Sequence, residues 1–198
     1  MSAQTEQRLK AALQRVDDRL VALQCRHRER GDIPLYEADL GPPATDQEMK
    51  ELENALGFTI PFELAYCLER WNGRFIAPDH AIVLNPISDL IYAANRSAMR
   101  VDDVTSTFEE VVGPVNLLFE SRKRIFFGEH DWSGSSLFLD YIPAAGGQLG
   151  QVIRIGEDPI AKYVVSSFVG LLNLVADAPA YDDDPEFDPL AWKPWHSN

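Results

Sequence analysis

The spacing of apolar residues changes once along this chain, and that change limits what it can fold into. Leu9, Leu13, Val16, Leu20 and Leu23 recur every four or three residues, which puts them on one stripe of a helix. The same spacing returns in Met49, Leu52 and Leu56, and again in Leu64, Cys67, Leu68 and Trp71. Beyond residue 123 the pattern turns to strands. Arg124–Gly128, Ser135–Tyr141, Gln151–Ile155 and Tyr163–Val165 are β-rich runs, parted by turn signals at Asp131 to Gly134 and Pro143 to Gly150. Their regular spacing predicts an antiparallel meander. Ser166 or Ser167 then caps a last helix carrying Phe168, Leu171, Leu172 and Val175.

Local signals sharpen the helical part. Residues 1–30 read as one helix, ended by Gly31 and Pro34. Its apolar seam either packs on the domain or joins a second copy; two heptads are too short for a coiled coil that stands alone. Residues 31–44 read as a connector. Thr45 precedes Glu48 by three, the capping-box spacing. Gly57 suits a left-handed helix end, Pro61 a first helical turn, and Asn72-Gly73 a second helix end. This helical hairpin is no sign of DNA binding, because Glu51, Glu53, Glu63 and Glu69 make its exposed side acidic. His80–Leu84 reads as a short strand, and Ser88 as the cap of a helix to about Ser97. Residues 98–121 give mixed signals, with Val104–Val112 open to a helical reading. Residues 178–198 read as an irregular acidic tail whose Trp192 and Trp195 suggest docking.

Size and charge narrow the function. A chain of 198 residues buries roughly 70% of its unfolded surface, so a core forms without disulfides. There is no apolar run long enough to span a membrane and no secretory signal pattern, so Cys25 and Cys67 are expected to be reduced thiols in a cytoplasmic protein. The formal net charge is −13, with residues 1–30 at +3 and the remainder at −16. A body this acidic repels phosphate backbones and argues against direct nucleic-acid binding. It either serves solubility or attracts a basic protein partner.

Three stretches, in order, resemble one family. They are Ala44-Thr45-Asp46-Gln47-Glu48 through Leu56-Gly57-Phe58-Thr59-Ile60-Pro61 to Trp71-Asn72-Gly73; the strand–turn–strand from Ile125 to Leu137-Phe138-Leu139-Asp140-Tyr141; and Gly150-Gln151-Val152-Ile153 ending in Ser167-Phe168. Together they resemble the SUKH superfamily, which includes the fungal cell-wall assembly regulators of the Smi/Knr type. The resemblance covers roughly residues 8–177. It implies an α+β fold, with N-terminal helices packed on a mostly antiparallel sheet and a C-terminal helix. It implies a binding module, not an enzyme. Many bacterial members resemble immunity proteins that bind and block a cognate toxin of a polymorphic or contact-dependent secretion system; fungal members act as scaffolds. The chain departs from shorter members at residues 74–80 and in its tail, which leaves the partner open.

The search for chemistry finds little. There is no nucleophile elbow, phosphate loop or zinc-protease motif. Glu129-His130-Asp131, with Asp140 across the hairpin, are residue types that hold a metal or move protons, yet an exposed turn carries the same residues routinely. No second histidine or cysteine lies near them in sequence, so neither a catalytic nor a metal site is expected, and no cofactor. The same tip suits binding better. Trp132 either caps a contact surface or folds back over the sheet edge. Arg122-Lys123-Arg124 reads as a solvated start to its strand.

The expected organisation is a packing helix at 1–30, a SUKH-like domain at 31–177 and an acidic tail at 178–198. The expected role is an immunity protein, monomer or weak dimer, that blocks a toxin sterically and electrostatically, with a regulatory scaffold as the alternative. Glu129, His130, Asp131, Trp132 and Asp140 are the candidate partner-binding residues.

Overall fold

The computed structural model describes residues 3–30, 42–100, 107–118, 123–130, 133–156 and 159–190, apart from the side chains of His27 and residues 97–100. The order is α1 (Ala3–Arg30), α2 (Asp46–Leu56), α3 (Phe62–Leu68), β1 (Arg74–Ala77), β2 (Ile82–Leu84), α4 (Ile87–Arg100), β3 (Glu110–Val112), β4 (Arg124–His130), β5 (Ser135–Asp140), β6 (Gln151–Ile155), β7 (Ile160–Val165) and α5 (Phe168–Ala176). The strands form one sheet in the order β1-β2-β4-β5-β6-β7-β3. Every pairing is antiparallel except the edge pair β3–β7, which is parallel. The fold is α+β, as the family resemblance implied.

The helix ends form where the chemistry predicts them. Thr45 Oγ1 accepts the Glu48 amide at 3.3 Å, while the Thr45 amide donates to Glu48 Oε2 at 2.7 Å. The Thr45 amide, and its hydroxyl donating to the same Glu48 oxygen at 2.8 Å, hold the Glu48 carboxyl below its usual range. Gly57 takes φ +80° and donates its amide back to Glu53. Pro61 precedes α3, and Ser167 Oγ accepts the Gly170 amide to start α5. The meander likewise forms, with β4 extending to His130 and β7 starting earlier, at Ile160.

Three segments differ from the sequence reading. Only Ile82–Leu84 of the expected His80–Leu84 strand is extended; Pro78–His80 form a 3-10 turn, since proline cannot donate to a ladder. The missed partner strand β1 lies just before it. In the stretch read as helical, Glu110–Val112 is a strand, held by β7; residues 101–106 lie outside the described ones. Ser88 does not cap α4. The helix starts one residue earlier, and its first amide, on Ile87, donates to Asn72 Oδ1 at 2.6 Å. The residue expected to close α3 therefore also opens α4.

The core lies between the helices and one face of the sheet. Ile125, Phe127, Leu137, Leu139 and Val152 meet Leu9, Val16, Leu52, Leu64 and Leu171. Full burial of each such side chain is worth about 1.5–3 kcal/mol. The seam of α1 is spent inside the chain: Leu9, Leu13, Val16 and Leu23 are buried, and the helix packs on α5. Gly128 has a different task. A Cβ there would collide with the Val83 carbonyl, so only glycine lets β2 approach β4 at this point.

Residues 178–190 run without regular structure, and Ala178, Ala180 and Leu190 are buried. Trp192 and Trp195 lie outside the described residues. Asp177 at the end of α5 and two acidic groups of the segment meet a row of arginines on α1: Arg15 with Asp177, Arg26 with Asp183, Arg30 with Asp182. Arg19, between them, donates twice to Asp79 at 2.7 Å, and Asp79 also accepts the Tyr181 amide. Arg15, Arg19, Arg26 and Arg30 share a face because eleven residues make about three helical turns. The basic excess of residues 1–30 is thus met inside the chain. Burial separates these pairs in strength. Arg19 and Asp79 are each under a tenth exposed, whereas Arg26 and Asp183 are about half exposed. Arg19→Ala is expected to cost about 3–5 kcal/mol by stranding the Asp79 carboxylate. Arg26→Ala should cost under about 1 kcal/mol. Urea unfolding of the two variants checks the contrast.

Candidate functional site: the sheet face turned from the helices

Strand register assigns each hairpin residue to a side, because successive side chains on a strand point to opposite faces. Ile125 pairs with Leu139 and Gly128 with Leu137 on the helix side. Phe126 pairs with Phe138 on the other side, their ring centroids 5.8 Å apart. Glu129 shares that outer side with Val83 of β2 and Ser136 of β5, and Val83 is opposite Phe75 of β1. Phe75, Val83, Phe126, Glu129, Ser136 and Phe138 are all half-buried. Further along, Phe108 and Val115 of residues 107–118 pack over Ile153, Ile155 and Ala161. The outer face therefore has a covered end at β6–β7 and an apolar stretch across β1, β2, β4 and β5 with Glu129 set in it.

The candidate residues do not converge. His130 follows Glu129 and so points to the helix side, where it is 7% exposed. Its Nδ1 lies 2.8 Å from Ser133 Oγ, and burial pushes its pKa below the ordinary histidine value. Asp140 is opposite Arg124, whereas His130 is opposite Ser135. Five residue steps separate them, about 17 Å along the strand. Asp140 is fully buried, against its reading as a partner contact. It accepts from Arg124 Nε at 3.2 Å, from Gln151 Nε2 at 3.1 Å and from the Ile142 amide at 3.1 Å. Asp131 and Trp132 lie outside the described residues.

The basic run also reads differently. Lys123 is exposed, but Arg124 is buried, not solvated. Its guanidinium donates to the Asn116 carbonyl at 2.8 Å and lies 5.0 Å from the Phe108 ring centroid. Burial lowers its pKa, and Asp140 opposes that shift. Arg124, Asp140 and Gln151 form a polar plug that holds residues 107–118 against the sheet. The plug could not be read from sequence, because its members come from three strands and its acceptors Pro114 and Asn116 are backbone carbonyls.

Among the described residues, the stretch across β1, β2, β4 and β5 offers apolar area with Glu129 set in it, while Asp140 is buried; Glu129, His130 and Asp140 make no shared site. Among the described residues no three His, Cys, Asp or Glu side chains come together as a metal requires. No described helix is long and apolar enough to cross a membrane. Half-buried apolar area of this kind suits contact with another macromolecule.

A family model described as the SMI1/KNR4 family (SUKH-1) matches residues 43–174, two thirds of the chain. The chain belongs to this SUKH family. The superfamily includes immunity proteins and the Smi/Knr regulators, and protein binding is its general role. No curated protein matches the chain. The SUKH match runs from just before α2 into α5. It omits α1 and residues 178–190, the two pieces that pair with each other by charge.

Asp140→Asn keeps the shape but strands a buried guanidinium, and should cost about 3–5 kcal/mol in urea unfolding.

Proposed function

We propose that this SUKH protein is an immunity-type protein that binds a cognate toxin domain and blocks it. The observation that carries the reading is the family match, because SUKH proteins bind protein partners. The charge supports the finer step. A formal net charge of −13 favours a partner with a basic working surface, such as a nuclease cleft, and speeds the encounter. Apolar area around Phe75, Val83, Phe126 and Phe138 supplies a desolvated centre, and Glu129 beside it adds to the acidic field that steers a basic partner. Blocking is steric and electrostatic and consumes no chemistry of this chain. The reading places the protein in the cytoplasm, where Cys25 and Cys67, both free, stay reduced.

The test has two arms. The tagged chain is purified from its native host at moderate salt, and the gene of any stoichiometric partner is then expressed with and without it. The expected result is one basic partner that arrests growth alone and is tolerated in its presence. A scatter of cellular proteins, or a partner harmless alone, would replace this reading with the regulatory scaffold. With the partner in hand, Glu129→Lys is expected to weaken binding about tenfold or more by surface plasmon resonance, mainly through slower association at low salt.

A further inference from the structure

Two stretches, residues 111–118 and 141–153, carry no charged side chain, although 25% of the chain's residues are charged. The fold brings them to one end of the sheet, where β4 starts, β5 ends and β6 starts. Pro114 joins them: its carbonyl accepts the Ala144 amide at 3.1 Å and Gln151 Nε2 at 2.9 Å. Gly147 permits the approach, since a Cβ there would stand 2.9 Å from that same oxygen. Three large apolar side chains stay in the open at this end. Leu117 is 54% exposed, Leu118 43% and Leu149 73%. A lone exposed leucine is ordinary, but three on two adjoining charge-free segments make a patch of the kind that meets a partner.

The patch is held in shape. The Gly147 amide donates to Ala144, the Gly150 amide to Asp140 and the Gln148 amide to Gln151 Oε1, so the loop before β6 spends its own backbone groups. On the other segment the Phe108 amide donates to Leu117 at 2.8 Å, and the Leu118 amide to Asn116 Oδ1 at 3.1 Å. A fixed surface loses little freedom on binding. It also continues the apolar row of the outer face, because Phe138 packs against the cluster of Phe108 and Val115.

Charge selects the occupant. Among the described residues, Glu109 and Glu110 at the start of β3 are exposed on one flank, and Glu63 on the other is close enough to Tyr141 to oppose loss of its proton. Lys123, exposed at the start of β4, opposes them. An apolar centre inside a mostly acidic rim fits a protein whose own contact surface is apolar and ringed by cations. A second copy would bring the same rim and another −13, and an anionic bilayer its own negative charge, so both are repelled.

We propose that the sheet end bearing Leu117, Leu118 and Leu149 is where a basic protein partner docks by apolar contact, extending the outer row beyond Phe138. The proposal rests on the partner-binding reading above and adds where that partner sits.

Photo-cross-linking of the whole chain in its native host tests it. Benzoylphenylalanine replaces Leu117, Leu149, Phe75 of the outer row, or Val21, which is 58% exposed on α1, in separate variants. The Leu117 and Leu149 variants should cross-link one basic protein, identified by mass spectrometry, and the Val21 variant should not. That protein is then purified and its binding measured by surface plasmon resonance. Leu117→Asp and Leu149→Asp should each weaken it about tenfold or more, mainly through faster dissociation, while Val21→Asp stays within about twofold. Circular dichroism checks that each variant keeps its fold. Cross-links to a second copy, to lipid or to an acidic protein overturn the proposal, as do no cross-link from either leucine position and unchanged affinity in both aspartate variants. A partner cross-linked from Phe75 alone sinks the docking site and leaves the immunity reading standing. A partner that docks here but is harmless when expressed alone sinks the toxin reading and leaves the docking site in place.

Discussion

Alternation along β4 decides what every side chain of the central hairpin can do. Ile125 and Phe127 must face the helices, because that is where Leu137, Leu139 and Val152 of the neighbouring strands meet them. The two-residue period then leaves no freedom beyond them, given the irregularity between Phe126 and Gly128. Phe126 and Glu129 go outward and His130 inward. A one-residue slip would turn the whole hydrophobic set to the wrong side. Gly128 helps lock the register, since the Val83 carbonyl occupies the space a side chain would need. The outer face, the buried histidine and the polar plug at Arg124 and Asp140 all follow from that one register.

The same logic separates stability from recognition. Arg124 and Asp140 are charged and close to a candidate surface, yet both are sealed under residues 107–118. A buried pair of this kind adds little net stability against an apolar alternative. Its effect is positional: Gln151 and Arg124 reach the carbonyls of Pro114 and Asn116, fixing an irregular segment whose described backbone pairing is the short β3 and a bridge between Thr107 and Leu118. At the opposite end of β4, Arg19, Asp79, His80 and Asp188 fix a second irregular segment, residues 178–190. Each end of the sheet thus uses buried polar groups to hold chain that has too few backbone partners of its own.

How much of this could be read from sequence depended on how far apart the partners lie. Thr45 and Glu48, Gly57, Pro61, and Ser167 with Gly170 act over a few residues, and each stands where its spacing put it. Asn72 was legible as a turn residue but not as the cap of Ile87, fifteen residues on. β1 and β3 are short edge strands with weak alternation, and pairing with β2 and β7 creates them. Asp140 was chosen for its residue type and nearness in a hairpin. The register that puts it opposite Arg124, and the cover that buries it, come from tertiary structure alone. Glu129 kept an outward place, but the apolar row beside it draws on β1, β2 and β5, and no single stretch of sequence displays it.

Internal pairing also changes what the net charge means. Arg15, Arg19, Arg26, Arg30, Arg74, Arg124, Arg154 and Lys10 each meet a carboxylate within the chain. Each such pair removes one charge of either sign and leaves the total of −13 untouched. What remains to act at a distance is therefore more acidic than the overall composition suggests, since among the described residues at least eight of the chain's 18 Lys and Arg are already answered. A field of this kind raises association rates at low salt and is screened within about 8 Å at physiological ionic strength. It can choose a basic partner and hurry the encounter, but lasting affinity needs desolvated apolar contact. Under the proposed immunity reading, the row from Phe75 to Phe138 would supply that area, with Glu129 beside it.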